Sequence, residues 1–263
     1  MLRARLLTAA VALPLLVYLV GYAPEWSFSL AILSLTGIGL YEYFLLTGTQ
    51  NSLPSTIGIL WGLLVALAIW TSNSVLVGAA LATGVILVFI ASLRDRQPEK
   101  GIRAISLTLL GVVYIGFLFP HFLWVHRGPN GTAWVFFIFL VAMLGDSSGY
   151  AIGRLWGKRK LLPHISPGKT IAGSVGATLG NCAAGLIAWY WLLPERSGAE
   201  LVTIALIAGL LAQLGDLCES ALKRACGAND SGHFFPGHGG VLDRIDSLLF
   251  PVAFIYYYNS LLN

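Results

Sequence analysis

The stretch that decides the fold is residues 201–222, which read LVTIALIAGLLAQLGDLCESAL. A helix needs about 20 mostly apolar residues to cross the hydrocarbon core of a bilayer, and this stretch supplies that length. Its second half nevertheless carries Asp216 and Glu219, although a charge at the centre of a span costs roughly 2.5–3.5 kcal/mol. We therefore predict a membrane helix whose carboxylates have a function.

Similar apolar runs fill the rest of the chain. The 263 residues are 57% hydrophobic and 11% charged, whereas soluble domains carry about 25% charged residues. This composition predicts an all-α integral membrane protein, with residues 1–263 forming a single multi-pass domain. We interpret 1–22 as a first membrane helix rather than a cleaved signal peptide, because another span follows at once. The nine predicted spans are 6–22, 27–46, 54–71, 74–93, 104–125, 132–153, 171–193, 201–222 and 241–260.

The basic residues predict how the spans are oriented. With a cytoplasmic N-terminus and nine alternating spans, 14 of the 16 Lys and Arg residues fall on the cytoplasmic side, in agreement with the positive-inside rule. The polar loops 94–103, 154–170 and 223–240 then also face the cytoplasm. This topology explains the net charge of +4. The sequence has no basic tail of the kind that indicates nucleic-acid binding. The three cysteines show no metal-ligand spacing.

The end of the span at 201–222 has a polar face. Asp216, Ser220 and Lys223 are four and three residues apart, so they share one face of a helix. Such a face can hold a divalent cation through Asp216 and a phosphate through Lys223. The alternative is an i,i+4 ion pair between Glu219 and Lys223, with Arg224 reaching the membrane interface.

The loop before the last span is rich in glycine. Residues 236–240 read PGHGG, and glycines allow successive backbone N–H groups to point into one concavity that binds anions. The loop enters a helix N-terminus, whose partial positive charge also favours phosphate. His238 can bind a phosphate or cap the loop, and an ordinary loop is the alternative.

Two further carboxylates open the last predicted span. Asp243 and Asp246 are three residues apart, and carboxylate oxygens suit Mg²⁺, which keeps several waters and bridges to substrate phosphates. The helix dipole also favours Asp in a first turn, but it explains one such residue more easily than two. Glu42, inside the second span, is either a hydrogen-bonded structural group or part of a cavity.

Residues 145–170 form another polar segment. Asp146 lies toward the end of a span, and a basic loop then ends in SPGKT at 166–170. We do not interpret GKT as a P-loop, since Pro163 stands where that pattern needs glycine and no strand is expected before it. The loop is instead expected to meet phosphate or anionic lipid head groups.

Together these segments resemble a known family. The pattern S-x-x-K-R at 220–224, PGHGG at 236–240 and D-R-x-D at 243–246 is similar to the signature of phosphatidate cytidylyltransferases, the CDP-diacylglycerol synthases. Residues 145–170 resemble a second block of that family. These motifs define a motif-bearing catalytic half at about 142–250.

The resemblance implies a reaction and a set of roles. CTP and phosphatidic acid would give CDP-diacylglycerol and pyrophosphate, with Mg²⁺ and room for a second cation, in a homodimer surrounded by membrane lipid. Asp243, Asp246 and Lys223 would be catalytic, and Asp216 with Asp243 would bind the metal. The residues implied in substrate binding are Asp146, Ser166, Lys169, Ser220, Arg224, His238, Gly239, Gly240 and Arg244.

One position departs from the family pattern, because Asn229 stands where the family has lysine. Three alternatives stay open: a CTP-dependent lipid kinase of the polyprenol or phytol type, a weakly active paralogue, and an ion-coupled transporter. Against the transporter, the polar groups crowd one membrane face rather than the midplane, where transport sites lie. We expect a multi-pass protein of a bacterial plasma (inner) membrane.

Overall fold

A computed structural model describes residues 13–49, 53–94, 96–232 and 239–262. Within these ranges the regular structure is helical except for one two-stranded hairpin, so the chain is an all-α membrane protein. In chain order the elements are α1 (Glu25–Leu46), α2 (Leu53–Trp70), α3 (Ser74–Ser92), α4 (Pro98–Gly111), a π-helix (Val112–Phe117), α5 (His121–Arg127), α6 (Gly131–Trp156), β1 (Lys160–Leu162), β2 (Ser166–Thr170), α7 (Ile171–Trp191), α8 (Gly198–Ala225) and α9 (Leu242–Leu262).

Eight helical stretches of the described chain are long and apolar enough to cross a membrane. They confirm eight predicted spans, although the one predicted at 104–125 runs from Pro98 to Arg127. The first predicted span, 6–22, lies partly outside the described residues, and its described part is helical over 13–21. The total of nine and the cytoplasmic N-terminus stay predictions.

The span from Pro98 to Arg127 begins at a proline and contains a π-helix. Pro98 stands in the first turn of α4, where its missing N–H leaves no helical hydrogen bond unmade. Farther along, the helix widens into the π-helix. There a Cβ on Gly116 would lie 2.7 Å from the Cα of Gly62 in α2, so the two backbones are in direct contact.

The described chain divides into two compact units. The described residues of 1–124 and 226–245 form the first unit, and those of 125–225 and 246–263 form the second. The prediction of a single domain stays a prediction.

In the first unit, aromatic side chains connect neighbouring helices by hydrogen bonds to backbone carbonyls. The buried Tyr43 hydroxyl of α1 donates to the carbonyl of Leu107 in α4 at 2.9 Å. The indole N–H of Trp61 in α2 donates to the carbonyl of Ala80 in α3 at 2.8 Å. Each bond satisfies the polar atom of a large apolar side chain inside the helix bundle.

In the second unit, small residues let α6 and α7 approach closely. A Cβ on Gly180 of α7 would lie 2.5 Å from the carbonyl oxygen of Leu144, and one on Gly176 would lie 2.9 Å from that of Ser148. Small residues of this kind are typical where membrane helices pack backbone against backbone.

The hairpin between α6 and α7 corrects one expectation. Strands β1 and β2 pair antiparallel, with Lys160 opposite Thr170 and Leu162 opposite Ser166. The prediction that no strand precedes GKT is therefore wrong; strands of three and five residues are too short to show a period-two pattern. The P-loop pattern still fails at Pro163.

Candidate active site

The second unit contains a cavity of about 500 Å³. Its walls are the second half of α6, the hairpin, the start of α7 and the end of α8. Because α6 and α8 end here and α7 begins here, the cavity lies at one end of this unit. Its charged lining residues are Asp146, Arg154, Lys160, Lys169 and Asp216.

An ion pair joins the hairpin to α8 inside this cavity. The Nζ atom of Lys169 lies 2.5 Å from Oδ2 of Asp216, and both side chains are about one-third exposed or less. The Ser220 hydroxyl lies one turn further along α8 and donates to Oδ1 of Asp216 at 3.4 Å. The structure therefore brings together three residues that the sequence assigned to metal and phosphate binding.

The end of α8 carries a second ion pair. Lys223 contacts Glu219 one turn earlier, and the Glu219 side chain has no exposed surface. This is the i,i+4 pairing that the sequence left open as the alternative for Lys223. An ammonium group has three donors, so the pair does not exclude a contact between Lys223 and a phosphate.

Arg224 fixes the hairpin to the end of α8. Its Nε atom donates to the carbonyl of Ile165, which immediately precedes β2, at 3.3 Å. The side chain was assigned to substrate binding, and the structure places it against the backbone of the loop that carries Lys169. Neither Arg224 nor Ser166 lines the cavity among the described residues.

Asp246 is buried in the same unit, with 7% of its surface exposed. The charges of Asp216, Lys223 and Asp146 all act on its carboxylate. A Cβ on Gly215 would collide with the backbone oxygen of Asp246, so α8 and α9 are in backbone contact at this point. The glycine before Asp216 is therefore the reason that these two helices can approach here.

The carboxylates suit a magnesium ion that arrives with its substrate. Asp146, Asp216 and Asp246 come from three different helices, and the charges of Asp216 and Asp146 act on the Asp246 carboxylate. Among the described residues, no three His, Cys, Asp or Glu side chains form a preformed metal cluster. Mg²⁺ normally takes one or two carboxylates and completes its shell with waters and substrate phosphates, and this donor set fits that pattern.

Asp243 holds Ser231 and the last residue of the glycine-rich loop beside the start of α9 in the first unit. Its Oδ2 atom accepts hydrogen bonds from the Ser231 amide at 3.0 Å, the Ser231 hydroxyl at 2.8 Å and the Gly240 amide at 2.8 Å. Gly239 has a φ of +78°, which glycine adopts without strain. The Gly240 N–H thus faces a carboxylate of the protein itself. The metal role of Asp243 stays a prediction.

Glu42 lies beside the same loop. Its Oε2 atom accepts a hydrogen bond from the Leu242 amide at 2.9 Å, in the first turn of α9. A Cβ on Gly240 would lie 2.5 Å from that oxygen, so the backbone passes close to the Glu42 carboxylate here. Of the two alternatives for Glu42, a structural group or part of a cavity, its hydrogen bond with Leu242 favours the structural group.

Other predicted residues lie outside the described part or on the surface. His238 and the rest of 233–238 are not among the described residues. Arg244 is exposed on the first turns of α9. Asn229 is exposed as well.

The sequence reasoning missed a hydrogen bond inside the cavity. The Ser174 hydroxyl of α7 donates to the side-chain oxygen of Gln213 of α8 at 2.5 Å, and both residues line the cavity. Gln213 precedes Asp216 by three residues, which places the two on one helical face. That spacing is the signal that could have identified Gln213.

These features define a predominantly helical membrane protein with a cavity that lysine, arginine and aspartate side chains line. The chain belongs to the cytidylyltransferase family, whose model matches residues 3–262. It is similar to proteins named phosphatidate cytidylyltransferase. That of Bacillus subtilis is 40% identical over 152 residues, which are 56% of this chain and 55% of the relative. Those of Staphylococcus epidermidis and Staphylococcus aureus are 39% identical over 142 residues, 54% of each chain. The chain thus spans about half the length of the curated relatives it matches.

Proposed function

We propose that this chain transfers CMP from CTP to phosphatidic acid, giving CDP-diacylglycerol and pyrophosphate. The observation that carries the proposal is the contact of Lys169 with Asp216 in a cavity that Arg154 and Lys160 also line. A carboxylate for a cation and three basic groups for phosphates are what a nucleotide and a lipid phosphate require. Family membership and the names of the relatives support the choice of these two substrates.

The chemistry asks for little covalent work from the protein. A phosphate oxygen of phosphatidic acid attacks the α-phosphorus of CTP, and the bond from that phosphorus to the bridging oxygen of the β-phosphate breaks. Pyrophosphate leaves with the bonding electrons. Positioning and neutralisation of charge lower the barrier of such a step.

The basic residues of the cavity supply the neutralising charge. Arg154 can engage two phosphate oxygens at once, and the lysines act as point charges. Lys169 exchanges its contact with Asp216 for a phosphate oxygen when substrate arrives, which leaves Asp216 available for a cation. Lys223 keeps Glu219 as its counter-charge and directs a second donor to phosphate.

Asp216 and Asp246 are the carboxylates of the second unit that would hold Mg²⁺. An ion held there would supply positive charge to the phosphate groups. The resemblance implies the same role for Asp243, whose hydrogen bonds to Ser231 and Gly240 fix its position. A second cation and a homodimer rest on the resemblance alone.

The membrane setting follows from the same reasoning. The polar loops are expected at the cytoplasmic face of a bacterial plasma membrane, where CTP is available. The acyl chains of the substrate stay in lipid while its phosphate reaches the cavity at the end of the helices.

The test is a product analysis. The purified full chain in phosphatidylcholine vesicles with phosphatidic acid and Mg²⁺ receives CTP labelled in the cytidine. We expect labelled lipid, and chelation of Mg²⁺ should abolish it. A lipid kinase would consume CTP and leave all cytidine in water, while a transporter or an inactive paralogue would consume none; either result contradicts the proposal.

A further inference from the structure

The first unit has a basic recess of its own, of about 540 Å³. The start of α2, the end of α3, the segment after it and the start of α4 form it. Three cations line it: Arg94, Arg96 and Lys100. None of the described lining residues is acidic, and the remaining walls include Ala91, Gly101 and Ala104.

The three cations have no carboxylate partner within the described ranges. Glu99 is exposed and does not line the recess, and Asp95 lies outside the described residues. Cations that converge on one recess create a positive potential that favours an anion.

The start of α4 adds to this potential. Gln97 precedes the helix and Gly101 lies in its first turn, and both line the recess. The first amide groups of a helix carry partial positive charge, which reinforces the charge of the lysine and arginines.

The depth of the recess matches that of lipid head groups. It lies at the ends of α2 and α3, which are long enough to span a membrane, so it is placed at the level of the phosphates rather than of the acyl chains. On α3 the side chains of Ile86, Phe89 and Ile90 are each at least half exposed. They give acyl chains an apolar surface next to the recess.

We propose that this recess binds the phosphodiester head group of an anionic phospholipid of the surrounding bilayer, with its acyl chains along α3. The positive-inside rule explains why basic residues occur in this loop. It does not explain why three of them line one recess together with the start of a helix. The proposal is independent of catalysis, since no residue of the recess belongs to the cavity in the second unit.

The experiment compares two pairs of substitutions that remove the same charge. Arg94→Gln with Lys100→Gln changes the recess, while Arg103→Gln with Lys158→Gln changes residues that do not line it. Purified full chain in mild detergent is titrated with phosphatidylglycerol, phosphatidylcholine or phosphatidic acid, and bound lipid is counted by native mass spectrometry.

We expect the unchanged protein to prefer phosphatidylglycerol to phosphatidylcholine. The recess pair should weaken phosphatidylglycerol binding by roughly 30-fold, from the usual contribution of two basic residues near an anionic surface, whereas the control pair should change it much less. If the recess pair fails to fold, the single variants Lys100→Gln and Arg103→Gln are compared instead. Lys100→Gln should then weaken phosphatidylglycerol binding about fivefold. Equal losses in recess and control variants, no preference for phosphatidylglycerol, or a loss confined to phosphatidic acid would overturn the proposal.

Discussion

At the scale of single residues, the contact between Lys169 and Asp216 connects two motifs that are distant in sequence. Each residue alone has an ordinary explanation, because loop lysines follow the positive-inside rule and a helix-end aspartate pairs locally. Their contact in a cavity with further basic groups gives both a role. It also keeps the carboxylate paired when no substrate is present.

Lys169→Gln should lower kcat/KM for CTP by roughly a hundredfold, because a cation next to the triphosphate is lost. Lys158→Gln is the matched control, since Lys158 does not line the cavity. Steady-state kinetics of both variants in vesicles measure the difference. Similar losses in the two variants would show that net charge, rather than the position of Lys169, controls the rate.

The buried pair of Glu219 and Lys223 predicts a stability effect. Glu219→Gln removes the carboxylate that contacts the Lys223 ammonium, which is 13% exposed, and should cost up to about 3 kcal/mol of stability. The measurement is thermal unfolding of the full chain in detergent.

The double variant Glu219→Gln with Lys223→Met is the control for this effect. It removes both charges, and replacing a buried pair with uncharged groups is often neutral for stability. We expect its unfolding temperature to lie close to that of the unchanged protein. A double variant that is less stable than Glu219→Gln alone would contradict the assignment.

At the scale of elements, the start of α9 is held by two carboxylates of the first unit. Asp243 accepts hydrogen bonds from Ser231 and Gly240, and Glu42 accepts one from the Leu242 amide. Glu42 satisfies an N–H group of the first helical turn, which has no partner within the helix, and Asp243 satisfies the Gly240 N–H just before the helix.

Asp243→Asn tests whether Asp243 acts only through its hydrogen bonds or also through its negative charge. The amide oxygen of asparagine still accepts hydrogen bonds from Ser231 and Gly240, but it is a poorer ligand for Mg²⁺. We expect the variant to insert in the membrane and to unfold near the normal temperature, with turnover abolished. Near-normal activity in the labelled-CTP assay would refute the metal role.

The packing of α6 against α7 predicts a contrast between two glycines. Gly180→Ala would place a methyl group against the Leu144 carbonyl and should cost about 1–3 kcal/mol. Gly78→Ala in α3 meets nothing within 4 Å and should leave stability unchanged or slightly higher. Thermal unfolding of both variants in the same detergent measures this; equal effects would contradict the close contact.

At the scale of the whole molecule, the sequence predicted the membrane spans but not the contacts between residues that are distant in the chain. The spans were predictable because apolar length is a property of one segment, as the match at Gly131–Trp156 shows. The hydrogen bonds from Arg224 to Ile165 and from Leu242 to Glu42 join residues far apart in the chain. Spacing within a segment carries no information about such partners.

The candidate site was predictable in its residue types and less so in their contacts. The motifs alone identify Asp216, Lys169 and Asp246, because each kind of side chain matches one part of a phosphate-transfer site. The sequence did not show that Asp243 would hold the Gly240 amide. Nor did it show that Gln213 lines the cavity with Ser174.

The position of the transferred phosphorus tests the central claim most directly. The purified full chain is given phosphatidic acid, Mg²⁺ and CTP labelled either at the α-phosphorus or at the γ-phosphorus. Cytidylyl transfer predicts that the α label enters the lipid together with cytidine and that the γ label leaves as pyrophosphate. Entry of the γ label into lipid, or no label in lipid from either substrate, would contradict the proposed function.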